Sequence, residues 1–410
     1  MAQYITDIVH ALTNCMGCFP GTPTLKINNR SFKIARLLGE GGFSYVYLVQ
    51  DTSNEALYAL KKIRCPFGQE SVSLALREVK AYALFSPHPN IIQSIDHCVS
   101  SDKSDPGAKT VYIVLPYYRR GNLQDLINSN LVNNTSFPEK QLMKLFLGVC
   151  RALQALHCYN EPHHQNRNNI GKKQKKAKKQ TGHNNQGTPV KSDQIRENEE
   201  AGDVGSESEQ QGLLTDREIN SQQIGPSDIS AYAHRDIKPG NIMIDDDGEQ
   251  SILMDLGSLA PSPTSITSRS EALALQDIAA EHSTMPYRAP ELFDVKTGSV
   301  IDTKVDIWSL GCTLYACLVG KSPFEMRSDE TGGSLSICVL SGDWRFPDEG
   351  AGRPKAKNQP NQGDSNGISE NIRELVRKCL KVEPSERPDV NELIDIIEEI
   401  IAKQTGNGAS

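Results

Sequence analysis

The chain predicts an α+β fold of two lobes, a small antiparallel sheet followed by a larger helical body. Three observations predict it. Residues from Phe32 to about 118 alternate β-branched and aromatic residues with turn residues, which is strand texture. Segments after Gly121 carry apolar residues at three- and four-residue spacing, which is helix texture. The order, strands first and helices later, is that of an α+β domain. The ordered domain is expected over 32–402, with the small lobe at 32–118 and the large lobe at 119–402.

The elements follow in turn. FKIARLLGEGGFSYVYLVQ and ALYALKKI read as antiparallel strands with turns between them. SLALREVKAYALFS has helical periodicity and stops at Pro87. VYIVLPYY is another apolar strand, leading to the helices NLQDLINSN and EKQLMKLFLGVCRALQALHCY. Over 161–228 the chain turns polar, basic first (Lys172 to Lys179) and acidic later (Glu197 to Glu209). Such composition buries too little apolar area to offset the roughly 1–2 kcal/mol per residue of ordering entropy, so it reads as a disordered insertion. A second insertion is expected at about 348–367, rich in Gly, Pro, Asn and Lys. VDIWSLGCTLYACLVG, ENIRELVRKCLKV and NELIDIIEEIIAK read as helices, and 403–410 as a disordered tail.

The chemistry concentrates at 234–241, His-Arg-Asp-Ile-Lys-Pro-Gly-Asn. Asp236 can accept the proton of an attacking hydroxyl, Lys238 can neutralise a moving phosphoryl group, and Asn241 can ligate Mg²⁺ through its amide oxygen. Gly39-Glu40-Gly41-Gly42-Phe43-Ser44-Tyr45-Val46 lies between two strand-like runs. Its glycines let backbone N–H groups approach phosphates, Ser44 takes the place of a third glycine, and Val46 is spaced to cover a base. Lys61 is a lysine inside an apolar strand and needs a partner, for which Glu78 on the following helix is the candidate. Leu115 and Pro116, followed by Tyr118, read as a hinge behind the base, with Pro116 offering its carbonyl and Tyr118 its N–H. Asp255 opens Asp-Leu-Gly after the apolar SILM, and with Asn241 makes an oxygen-donor set suited to a hard cation.

Glu291, in Ala-Pro-Glu, is expected to pair with Arg387, and Asp306 to hold the backbone of the 234–241 loop; His234 and Arg235 are expected to have structural roles. Thr284 stands where its hydroxyl can bond Asp236 and Lys238. Taken in order, these motifs resemble the eukaryotic protein kinase family over about 32–402, and Lys238 follows the serine/threonine pattern. The resemblance implies ATP and Mg²⁺, with nucleotide contacts at Leu38, Gly39, Glu40, Gly41, Gly42, Phe43, Ser44, Val46 and Ala59 besides Lys61, Glu78 and the hinge. It implies protein serine and threonine hydroxyls as acceptors, and autophosphorylation among Ser262, Thr264, Ser265, Thr267, Ser268 and Ser270. A pseudokinase scaffold is the alternative, but its usual mark, a missing Lys, catalytic Asp or metal Asp, is absent.

LLGEGGFSYVYLV, PYYRRGNL and EALALQDIAAEHSTMPYRAPELF narrow the resemblance to the Numb-associated kinase family and its myristoylated and palmitoylated serine/threonine kinase group. Members carry a helical activation segment, and EALALQDIAAEH has that periodicity. The group includes a vacuole-membrane kinase of yeasts, which implies the cytoplasmic face of an endomembrane, vacuole or Golgi, and a role in membrane trafficking or fusion.

Residues 1–31 read as a membrane-targeting segment. Tyr4, Ile5, Ile8, Val9 and Leu12 share one helical face, and Cys15 and Cys18 follow as candidates for palmitoylation. Position 2 is Ala2, so myristoylation, which needs glycine there, is not expected. Ten scattered cysteines, no signal peptide and no apolar run of about 20 residues fit a reducing compartment. Net charge is −7, and no nucleic-acid partner is expected. The lysine run at 172–179 reads as a solvated spacer, a contact for anionic lipid or an import signal.

Overall fold

A computed structural model describes residues 24–41, 44–101, 108–159, 231–349 and 367–406. The insertion expected at 161–228, Cys15, Cys18, Gly42 and Phe43 lie outside the described residues. Six strands, β1 (Thr24–Ile27), β2 (Arg30–Glu40), β3 (Ser44–Asp51), β4 (Leu57–Cys65), β5 (Asp96–Ser101) and β6 (Lys109–Pro116), form one antiparallel sheet in the order β1-β2-β3-β4-β6-β5. Strand β1 falls inside the segment read as a membrane leader. Its Ile27 is fully buried with Phe32, Val49, Leu60 and Val114, so the described sheet includes residues ahead of Phe32.

Register decides what the other face of the sheet presents. Val46 pairs with Lys61, Lys61 with Ile113, and Ala59 with Leu115. Residues directly opposite share a face, and so do i and i+2 along a strand. Val46, Ala59, Lys61, Ile113 and Leu115 therefore line one surface. Helix α1 (Gln69–Leu84) buries Val72, Ala75, Val79 and Tyr82 there, and carries Glu78 into the same interior.

The larger lobe is built on α2 (Leu123–Asn133), α3 (Glu139–His157), α4 (Arg269–His282), α5 (Lys304–Val319), α6 (Pro323–Thr331), α7 (Leu335–Ser341), α8 (Glu370–Cys379) and α9 (Val390–Gly406). Asn122 and Asp125 close a capping box at the start of α2. Gly121 just before it has φ +74, and a Cβ there would lie 2.4 Å from Asp125. Helix α5 is buried on all sides from Val305 to Cys317, the mark of a central helix. Trp308 of α5 stacks on Phe324 of α6 at 5.1 Å. Helix α9 runs past the boundary expected at 402. At the second insertion, Asp348 and Glu349 belong to the fold, because they pair with Arg373 and Arg377 of α8; 350–366 lie outside the described residues. Among the described residues no helix is long and apolar enough to cross a membrane.

Short strands frame the loop motifs. They are β7 (Ala231–Ala233), β8 (Ile242–Ile244), β9 (Ser251–Leu253), β10 (Ala260–Ser262), β11 (Thr264–Ser265) and β12 (Val300–Ile301). Pairing β8 with β9 sets Ile242 against Leu253 and brings Asn241 beside the Asp255 turn, where the Met254 N–H donates to the Asn241 carbonyl.

Candidate active site

The first half of the site is the sheet face. Lys61 Nζ lies 2.8 Å from both oxygens of Glu78 and 3.1 Å from Asp255 Oδ1. Burial pulls the lysine down, but the Asp255 and Glu78 carboxylates outweigh it and raise the ammonium above its ordinary value. Burial raises Glu78, against the pull of Lys61. Burial acts on Asp255 too, yet Lys61 overrides it and holds that carboxyl low. Leu38, Val46, Ala59, Pro116 and Tyr118 are half-buried around this corner, and Leu115 is buried. Gly39, Glu40 and Gly41 are exposed, and the Gly41 N–H donates to Ser44 O at 2.8 Å.

The second half is the 234–241 loop. Asp306, fully buried at the start of α5, accepts the N–H of His234 at 2.7 Å and that of Arg235 at 2.8 Å. Those bonds hold Arg235 at φ +68, a region that a β-carbon disfavours. The loop then presents Asp236 between four donors. Oδ1 accepts from the Thr284 N–H (2.9 Å) and Thr284 Oγ1 (2.7 Å). Oδ2 accepts from Lys238 Nζ (2.7 Å) and Asn241 Nδ2 (3.0 Å). Lys238 also donates to Thr284 Oγ1 at 2.7 Å. Because the amide nitrogen of Asn241 takes Asp236, its amide oxygen is left to face another group.

Asp255 sits at φ +60, ψ +67, a second strained non-glycine residue at the same corner. Leu256 after it is buried in the main core, the cluster that also holds Val79 and Tyr82. Away from the chemistry, Arg387 is wholly buried and forks onto Glu291 at 2.6 and 2.8 Å, over the Trp308 ring. This pair ties the Ala-Pro-Glu turn to α5 and to the chain before α9.

Sequence reasoning missed three side chains. Tyr82 donates its hydroxyl to Glu78 Oε1, and the signal was there in the i, i+4 spacing on α1. Arg288 closes the last turn of α4 by donating to Ala280 O and Ser283 O, a cation at a helix C-terminus. His157 bonds Asp306 Oδ2 at 2.9 Å. Nothing local marked it, since 149 residues separate it from Asp306.

The protein kinase domain family matches residues 32–165 and 230–396. The chain is 34% identical to the serine/threonine-protein kinase ENV7 of Saccharomyces cerevisiae, over 98% of this chain and 100% of that one. It is 35% identical to the serine/threonine-protein kinase ppk13 of Schizosaccharomyces pombe, covering 91% of each. With the human serine/threonine-protein kinase 16 it shares 30% identity over 95% of each chain. The chain belongs to the protein kinase family, among its serine/threonine kinases.

Proposed function

We propose that the chain transfers the γ-phosphoryl group of ATP to serine and threonine hydroxyls of proteins, its own included, at the cytoplasmic face of an endomembrane. The four-donor clamp on Asp236 carries this reading. It fixes both carboxylate oxygens beside Lys238, so the carboxylate takes the proton of an attacking hydroxyl while Lys238 faces the developing charge. The hydroxyl oxygen bonds to the γ-phosphorus as its bond to the bridging oxygen breaks, and ADP leaves. Lys61, steadied by Glu78, suits the α- and β-phosphates. Val46, Ala59 and Leu115 provide an apolar slot for adenine, with Pro116 O and Tyr118 N–H at its edge.

Mg²⁺ fits the donor set. Asp255 and the amide oxygen of Asn241 are hard ligands, and among the described residues no three His, Cys, Asp or Glu gather to hold a metal alone. That suits an ion that keeps waters and takes phosphate oxygens. When bound it would neutralise charge on the phosphates.

Of the activation-segment hydroxyls, Ser262 is buried, and Thr267 and Ser268 are tied to Glu271 at the start of α4. Ser265 and Ser270 are exposed, which favours them as autophosphorylation sites; Thr264 faces Arg235 Nη2 at 3.3 Å. Incubation with labelled ATP and Mg²⁺, then phosphoamino-acid analysis, tests the reading. Phosphoserine and phosphothreonine support it; phosphotyrosine alone, or no label, sinks it and leaves the scaffold alternative.

Acylation of Cys15 and Cys18 beside the apolar face of residues 4–12 would supply the membrane contact, since two anchoring signals hold where one does not. The resemblance to the palmitoylated kinase group supports a role in trafficking or fusion. Hydroxylamine-sensitive acyl label should vanish in Cys15→Ser/Cys18→Ser, and unchanged membrane fractionation of that variant would refute the anchor.

A further inference from the structure

Tyr82 is buried in the main core of the protein, 1% exposed, four residues after Glu78 on α1. Helical side chains lean toward the N-terminus, so this spacing sets the phenol over the glutamate. Its hydroxyl donates to Glu78 Oε1. Lys61 bonds Glu78 and Asp255 from the other side. The four residues thus form a chain, in which Lys61 joins the two carboxylates and Tyr82 holds Glu78 from the side away from Lys61. The corner is tightly built: a Cβ on Gly257 would lie 3.3 Å from Asp255 Oδ1 and 3.8 Å from Glu78 Oε2.

A phenylalanine would fill the same volume, so packing does not account for the hydroxyl. Asp255, held in the left-handed region, needs surrounding bonds to fix it. We propose that Tyr82 is a positioning residue for the phosphates and metal of the nucleotide, its hydroxyl fixing the Glu78 carboxylate that holds Lys61 beside Asp255. The inference rests on the ATP-site reading given above. It touches one end of that site only. Lys61 and Asp255 face the phosphates, whereas Ala59, Leu115 and Tyr118 face the base.

That asymmetry supplies the test. Calorimetry on the full-length chain compares MgADP with adenosine, in wild type and Tyr82→Phe. The affinity for MgADP is expected to fall about tenfold, the worth of one charge-assisted hydrogen bond, with adenosine unchanged. Equal loss for both ligands would make the hydroxyl a support of the fold, and no loss for either would make it a satisfied core phenol. Either overturns the proposal, as does failure of Tyr82→Phe to fold. A double-mutant cycle of phosphotransfer with Glu78→Gln gives a second reading. Positioning through Glu78 requires Tyr82→Phe to cost much less in the Glu78→Gln background, and additive losses would contradict it. If wild type binds MgADP no better than adenosine, the ATP-site reading itself fails, which is a different result.

Discussion

Thr284 shows how much of the site depends on single hydroxyls. It supports Asp236 Oδ1 twice and receives Lys238, so Thr284→Ala leaves a carboxylate and an ammonium short of partners. Phosphotransfer should fall about 10- to 100-fold, the cost of a hydrogen bond to a charged group, with KM for ATP little changed. Steady-state kinetics checks both numbers. Asp306 works at the same scale on stability. Burial would raise its carboxyl, but His157, His234 and the Arg235 N–H outweigh that and hold it below the ordinary value. The folded value is thus lower than the unfolded one of about 3.9, so the unfolded chain binds more protons between them. Its contribution is complete above about pH 4 and is lost as pH falls through the folded value. Melting curves should show the advantage of wild type over Asp306→Asn shrinking only below that pH. Most of these residues were legible, because Asp236, Lys238, Asn241, Lys61 and Asp255 keep characteristic neighbours in the sequence. His157 was not, because a histidine ending an apolar helix has an ordinary place in a core; Tyr82 had only its i, i+4 spacing from Glu78 to mark it.

Helix α4 is an element that the sequence could specify by itself. Ser268 accepts from the Glu271 N–H while Glu271 receives the Thr267 and Ser268 N–H groups, a capping box. At the other end Arg288 meets the last carbonyls. Its apolar residues Ala272, Leu275 and Ala279 face inward at three- and four-residue spacing. Ser268→Ala should destabilise this segment by about 1 kcal/mol, read as faster amide exchange over 269–282 with α5 unchanged. Strands were harder to bound. β1 is four residues long and half-exposed, with too few residues to show alternation, and only its pairing to β2 and the burial of Ile27 make it part of the sheet. The start of the second insertion is a related case. Asp348 and Glu349 look like loop residues until Arg373 and Arg377 of α8 meet them.

At the scale of the molecule, two lobes share one apolar core that runs from α1 through Leu256 to α5 and α9. The first insertion interrupts the sequence without separating its flanks. Tyr159 and Tyr232 touch at 5.4 Å between ring centroids, and both rest on Phe85, at 5.6 and 5.8 Å. A short linker can therefore span them. Deleting 163–226 should leave phosphotransfer intact and can raise stability by up to about 2 kcal/mol through the lower closure entropy of a tenfold shorter loop. Thermal melting and activity of the deletion check this together; a folded but inactive deletion would make the insertion part of the catalytic machinery. The central claim is that Asp236 takes the proton as phosphoryl transfer proceeds. It is tested most directly by single-turnover transfer from labelled ATP with Mg²⁺, comparing the full chain with Asp236→Ala. Wild type should label protein serine and threonine, and the variant should be slower by about 10²-fold or more, the scale of positioned acid–base catalysis, while still binding ATP. Equal rates in the two proteins would contradict it.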